Sequence, residues 1–123
     1  MLNLLVLVAS AASSTMTFDE AKVLADRDEA TVPAEQADDF KMSFTKIGRF
    51  AFSECMPTPP LEIVPNFTVV MSVGPSGKVQ QTWLREATEF TKCVESKFAV
   101  ATLPKPPTSP FYTSFEFIWG FEP

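Results

Sequence analysis

The chain contains no histidine. This absence removes the usual general base near neutral pH and the commonest metal-binding side chain. Glycine is scarce as well, and the pair in Gly74-Pro-Ser-Gly77 lacks the length and the Lys-Ser or Lys-Thr ending of a phosphate-binding loop. The acidic residues have neither the glycine nor the spacing of a calcium loop. We therefore predict a protein that is not an enzyme and that uses no metal and no cofactor.

Basic side chains are also few, with 10 Lys and Arg residues against 15 Asp and Glu residues and a net charge of −5. Binding to a phosphate backbone needs a positively charged surface, so we predict no nucleic-acid partner. The acidity is concentrated between Asp19 and Asp39, where eight acids accompany only Lys22 and Arg27. Two interpretations of this stretch stay open, namely a solvated helical face and a docking site for a basic partner.

The apolar stretch at the amino terminus, Leu2 to Ala12, is shorter than the roughly 20 residues that a helix needs to cross a bilayer. We therefore predict no stable membrane span. Ala9-Ser-Ala11 matches the pattern before a cleavage site, so residues 1–12 are predicted to be a signal peptide and the protein to be periplasmic or secreted. Because no Lys or Arg precedes the stretch, a buried amino-terminal strand or helix of a cytosolic protein is the alternative.

Hydrophobic spacing divides the remaining chain into an acidic helical segment, residues 13–32, and a single α+β domain, residues 33–123. Thr17-Phe-Asp-Glu20 has the form of a capping box and predicts a helix from about Phe18 to Ala30. Pro33 suits the first turn of a second helix, because its missing amide would have no partner there. The apolar stripe of that helix consists of Ala37, Phe40, Phe44, Ile47, Ala51 and Cys55.

A β-hairpin is predicted after a proline-rich connector. Apolar residues alternate from Phe67 to Val73, which indicates a half-buried strand, and Gly74 to Gly77 indicates a turn. The return strand runs from Lys78 to Leu84, and its alternation is expected to place Val79 and Trp83 on one face.

A third helix and a last strand complete the predicted elements. Helical spacing returns between Glu86 and Phe98, and Phe111 to Trp119 then alternates as a strand. These elements predict a small antiparallel sheet, the hairpin plus a C-terminal strand, packed against two or three helices. One face of the last strand carries four aromatic side chains, those of Phe111, Phe115, Phe117 and Trp119. They are candidates for binding a small apolar ligand, and ordinary core packing is the alternative.

Cys55 and Cys93 lie on the apolar stripes of two different predicted helices. In an exported protein two such cysteines are expected to form a disulfide, whereas two free buried thiols are the alternative. Neither cysteine belongs to a Cys-x-x-Cys pair of the kind found in redox-active sites. We therefore predict a structural disulfide between them.

The order of motifs resembles the TonB C-terminal-like domain, in the two-cysteine version found in bacterial envelope and gliding-motility-associated proteins. The motifs begin with a helix ending in Cys, a proline-containing connector and a strand. They continue with a Gly-x-Val that opens the next strand, a Cys-Val in a helix and a closing Phe-x-Phe strand. The resemblance covers about residues 48–119. The matching positions are Cys55, Gly77, Val79, Cys93, Val94, Phe115 and Phe117.

This resemblance implies a compact module, in which a helix pair packs on a small antiparallel sheet and makes contacts with other components of the cell envelope. It does not imply energy transmission from an inner-membrane motor. Pairing of the last strand with a strand of an envelope protein partner is the expected mode of contact, because an exposed sheet edge accepts an added strand. The alternative function is a small apolar-ligand-binding protein that uses the aromatic face of the last strand.

Overall fold

The computed structural model describes residues 16–119, which contain three helices and three strands. The predicted signal peptide, residues 1–12, lies outside those residues. In chain order, the elements are α1 (Phe18–Glu29), α2 (Ala34–Cys55), β1 (Phe67–Val73), β2 (Val79–Arg85), α3 (Glu89–Ala99) and β3 (Phe111–Phe117). The strands form one antiparallel sheet in the order β2-β1-β3, so the predicted α+β class, with a hairpin and a C-terminal strand packed against helices, is confirmed.

Threonine side chains determine where α1 and α3 begin. The predicted capping box is present at α1, where the Glu20 amide donates to Thr17 Oγ1 at 3.2 Å. A second box begins α3, where the Thr91 amide donates to Thr88 Oγ1 at 3.1 Å. Helix α3 therefore begins at Glu89, three residues later than the apolar spacing predicted.

The hairpin contains an irregularity that the alternation of apolar residues did not predict. Along β1 the partner residue on β2 jumps from Gln81 to Val79, which leaves Gln80 as an extra residue on β2. Such a bulge moves the side chains beyond it to the opposite face of the sheet. The prediction that Val79 and Trp83 share a face is therefore wrong, because Val79 packs against the main core and Trp83 against the other side of the sheet.

The main core lies between one face of the sheet and helices α2 and α3. Phe98 of α3 and Phe111 of β3 are buried in it, and the Phe40 ring of α2 stacks on Phe111 with centroids 5.6 Å apart. Because apolar burial stabilises a fold by roughly 25 cal/mol per Å², these buried aromatic side chains stabilise the packing of the helices on the sheet. The central strand contributes one whole face to it, formed by Phe67, Val69, Met71 and Val73.

Helix α1 covers the opposite face of the sheet. Ala21 and Ala25, one turn apart, are fully buried against Val70 of the central strand. Their small side chains let the helix lie close to the sheet. Trp83 of β2 also packs here, and its Nε1–H donates to the backbone oxygen of Met16 at 2.9 Å. The acidic segment therefore has one face buried on the sheet.

Charged side chains add further contacts between α1 and the sheet. Arg85 of β2 pairs with Asp19 and lies over the Phe18 ring, 4.2 Å from its centroid. Lys22 pairs with Glu116 of β3 at 3.1 Å. Burial alone would lower the pKa of Lys22, but hydrogen bonds to a carboxylate on its own helix and to Glu116 outweigh that effect and raise the pKa above its ordinary value. The Lys22 ammonium is therefore charged at neutral pH.

The Cys55–Cys93 disulfide joins the end of α2 to the middle of α3, which confirms the predicted pairing. The two sulfur atoms are 2.09 Å apart and the two Cα atoms 5.8 Å apart. A disulfide of this kind fits a protein of an oxidising compartment. Within residues 16–119, no helix combines the length and the apolar character needed to cross a membrane.

Candidate strand-pairing site

Strand β3 forms one edge of the sheet, with β1 on its inner side. In an antiparallel pair, alternate residues direct their backbone groups towards the neighbouring strand and away from it. The amides of Tyr112 and Ser114 donate to side chains outside the sheet, so these residues face the outer edge. The pairing of β3 with β1 has no irregularity, and Glu116 therefore faces the same way by alternation. This outer edge is a row of backbone donors and acceptors suited to another strand.

Two carboxylates from the end of α1 occupy the first half of that edge. The Tyr112 amide donates to Asp28 Oδ2 at 2.9 Å, and the Ser114 amide donates to Glu29 Oε2 at 2.9 Å. The same Glu29 oxygen accepts from the Thr113 hydroxyl at 2.6 Å. Half of the outer edge is therefore satisfied by side chains of the chain itself.

Among residues 16–119, no side chain or strand pairs with the backbone of the second half of the edge. In the described part of the chain, the Glu116 amide has no hydrogen-bond acceptor, and the following Ile118 is 59% exposed. The Trp119 amide, just beyond the strand, donates to Asn66 Oδ1 at 2.7 Å. The backbone around Glu116 is thus the part of β3 that is available to a partner without rearrangement.

An apolar groove runs beside this edge, between α2 and β3. It consists of two adjoining cavities of about 280 Å³ and 370 Å³, and the Phe44 side chain lines both. The first cavity is lined by Val32 and Phe111, while the second lies along Phe115 and Phe117. This α2–β3 groove therefore follows β3 over its whole length.

The four predicted aromatic residues lie in three different environments. Phe111 is 1% exposed and belongs to the core, although it also borders the first cavity. Phe115 and Phe117 are half-buried, with ring centroids 4.8 Å from Phe98 and 4.7 Å from Phe52 respectively, and their outer surfaces line the second cavity. Trp119 is 46% exposed and lies beyond the end of β3.

Gly48 of α2 lines the second cavity and packs against Phe115. A Cβ atom at this position would lie 3.2 Å from two atoms of the Phe115 ring, which is closer than ordinary van der Waals contact. The glycine therefore allows the Phe115 ring to lie against the backbone of α2.

The rim of the groove on the α2 side is basic. Lys41, Thr45 and Arg49 follow one another at intervals of four residues and line the groove. Neither Lys41 nor Arg49 forms an ion pair within residues 16–119. Neither cation was among the site residues predicted from the sequence, where only the apolar stripe of this helix was considered. The four-residue spacing beside the apolar stripe was the signal that could have identified them.

Another cavity lies elsewhere, next to the disulfide. It has a volume of about 430 Å³ and is lined by Cys55, Cys93 and Phe90, together with Leu61 and Ile63. The predicted aromatic binding residues do not line this cleft, and it does not border an unpaired strand. We therefore regard the α2–β3 groove as the stronger candidate.

Searches for similar proteins found no family model, no curated protein and no solved structure that matches this chain. Within residues 16–119, no three metal-ligating side chains cluster as a metal ion would require. The geometry of β3 and of the α2–β3 groove is therefore the basis for assigning a function.

Proposed function

We propose that the protein is an exported, non-enzymatic interaction module of the bacterial cell envelope, and that it binds an extended segment of an envelope protein partner along β3. The single observation that carries this proposal is the combination of an open backbone edge at Glu116 with an apolar groove directly beside it. Backbone hydrogen bonds supply affinity in such strand addition, and pockets for alternate side chains supply specificity.

A partner strand added along β3 would lie over the groove. Neighbouring strands lie about 4.8 Å apart, and their successive side chains point to opposite faces. Every second side chain of a partner strand would therefore enter the α2–β3 groove, where Phe52, Phe115 and Phe117 offer an apolar surface. The apolar lining of this cavity favours a large aliphatic or aromatic side chain there.

Charge favours an acidic partner segment. Lys41 and Arg49 lie at the rim without ion-pair partners in the described residues. A carboxylate flanking the apolar side chain of the partner would meet Arg49, which lines the second cavity with Phe115 and Phe117. Such rim pairs contribute modestly to affinity but raise the association rate and set the register of binding. The partner we propose is thus an extended acidic segment with at least one large apolar side chain.

The compartment belongs to the same proposal. The Cys55–Cys93 disulfide supports an oxidising environment, and the apolar stretch in residues 1–12 supports export to the periplasm or beyond. The similarity of the motif order to the TonB C-terminal-like domain supports an envelope protein. No catalytic step is part of this proposal.

The test is site-specific photo-crosslinking in cells that make the protein natively. A benzophenone amino acid at Thr45, on the groove rim, is expected to crosslink the partner, whereas the same group at Gln81, an exposed position on β2, is expected to give none. Arg49→Glu should reduce the crosslink several-fold, and Lys46→Glu, the same charge change on the same helix outside the groove, should leave it unchanged. Equal crosslinking from both positions, or equal effects of both charge changes, would refute the proposed site.

A small apolar-ligand-binding protein remains the second candidate, because the cavity beside Phe111 has walls of Val32, Phe40 and Phe44 and a volume of about 280 Å³. That volume suits only a small ligand. Ala37→Trp would fill this cavity from α2. If native mass spectrometry shows a co-purifying ligand that this variant lacks, while the crosslink from Thr45 persists, the second function is the correct one for this cavity.

A further inference from the structure

The last turn of α1 ends at the outer edge of β3. Asp28 and Glu29 accept hydrogen bonds from the amides of Tyr112 and Ser114, and Glu29 also accepts from the Thr113 hydroxyl. Asp28 is largely enclosed, with its side chain only 14% exposed. The two carboxylates stand where the carbonyl oxygens of a further strand would lie.

An unpaired strand edge invites pairing with another chain, and proteins cover such edges or place charges on them. We propose that Asp28 and Glu29 form an edge guard, which prevents the first half of β3 from pairing with the β3 of a second copy of this chain. The inference goes beyond the proposed function, because it concerns a contact that the fold prevents.

A second copy is the occupant that the edge fits best. If two β3 strands pair antiparallel about Ser114, then Ser114 lies opposite its own equivalent and Tyr112 lies opposite Glu116. All three residues direct their backbone groups outward, and each such pair exchanges two hydrogen bonds. No like charges are opposed in this register. On the groove side, Phe111 of one copy would lie opposite Phe117 of the other, which adds aromatic contact.

The guard and this self-pairing exclude each other. The symmetric pairing needs the Tyr112 and Ser114 amides of both copies, and in the folded chain the carboxylates already hold those amides. The guard does not reach Glu116. A partner that needs only the second half of β3 is therefore accommodated, while the longer self-pairing is blocked.

The experiment compares self-association of the oxidised full chain and its variants by sedimentation equilibrium. The variant Asp28→Ser/Glu29→Ser removes both carboxylates of the guard. The matched control, Asp38→Ser/Asp39→Ser, removes the same two charges from exposed positions of α2. A third variant adds Ser114→Pro to the first, since proline removes the outward amide at the centre of the self-pairing without breaking a bond to β1.

We expect the unchanged chain and the control to sediment as monomers, and the guard variant to associate more tightly by about tenfold. Adding Ser114→Pro should restore the monomer. A folded guard variant that stays monomeric, or association that persists with Ser114→Pro, would overturn the proposal. If the double variant does not fold, self-association is measured for Glu29→Ser alone, which frees the Ser114 amide. The same outcomes then support or overturn the proposal.

Discussion

Removing the Cys55–Cys93 disulfide is expected to cost a large share of the stability of the fold. The two cysteines are separated by 38 residues, and a loop of this length corresponds to about 4 kcal/mol of lost chain entropy in the unfolded state. Domains of this size have total stabilities of about 5–15 kcal/mol. The bond therefore accounts for between about a quarter and most of the free energy of unfolding.

The assay is urea unfolding of the mature chain and of Cys55→Ala/Cys93→Ala, followed by tryptophan fluorescence. Alanine is the appropriate replacement, because both cysteines are half-buried beside apolar residues and a serine hydroxyl would need a new partner there. The midpoint should fall, and the melting temperature should drop by about 15–20 °C, since a 1 kcal/mol loss shifts a domain near 100 residues by about 4 °C.

The urea experiment also tests the reasoning about the unfolded state. The variant should still fold, because α2 and α3 remain joined by the core contact of Phe52 with Phe90, whose ring centroids are 5.1 Å apart. Its m-value should rise, because the unfolded chain without the crosslink exposes more surface. A loss below about 1 kcal/mol, with an unchanged m-value, would refute the chain-entropy account.

Three further predictions concern single positions. Gly77→Ala should destabilise by about 2 kcal/mol or more in urea unfolding, because Gly77 has φ of 94° and a Cβ atom there would lie 2.0 Å from the Leu103 oxygen. Ala25→Leu should cost about 1–3 kcal/mol by pushing α1 off Val70, whereas the same change at the exposed Ala30 should be nearly neutral. The pKa of Lys22 is raised in the folded chain. The stabilisation of the fold by charged Lys22 is therefore fully present below the unfolded pKa of about 10.4 and is lost as the pH rises through the folded pKa. The stability difference between Lys22→Met and the unchanged chain should therefore be constant from neutral pH to about pH 9 and should shrink above about pH 10.4.

Local signals in the sequence predicted most of the secondary structure. The Thr17–Glu20 capping box placed the start of α1 correctly, because both partners lie within one turn of each other. The start of α3 was predicted three residues too early, since Thr91 takes the role usually filled by Glu or Gln in the second box. The bulge at Gln80 had no local signal, because it depends on how β2 pairs with β1.

The candidate site was only partly predictable for the same reason. Alternation identified the aromatic face of β3, but the exposure of each ring depends on what covers it. Phe111 lies beneath α2, whereas Trp119 lies beyond the strand. The contact between Asp28 and Tyr112 joins residues 84 positions apart, and no spacing rule links an acid on one helix to an amide on a distant strand.

The availability of the β3 edge depends on how firmly α1 is held, and α1 is held differently from α2 and α3. Its buried apolar contact with the sheet consists mainly of Ala21 and Ala25, which bury far less apolar surface than the phenylalanines on the other side. Its other contacts with the sheet include exposed ion pairs, which contribute little to stability, and the hydrogen bonds that Asp28 and Glu29 accept from β3. Helix α1 therefore buries less apolar surface than α2 and α3 do, and its last turn is held at the edge of β3 by the same hydrogen bonds that form the guard.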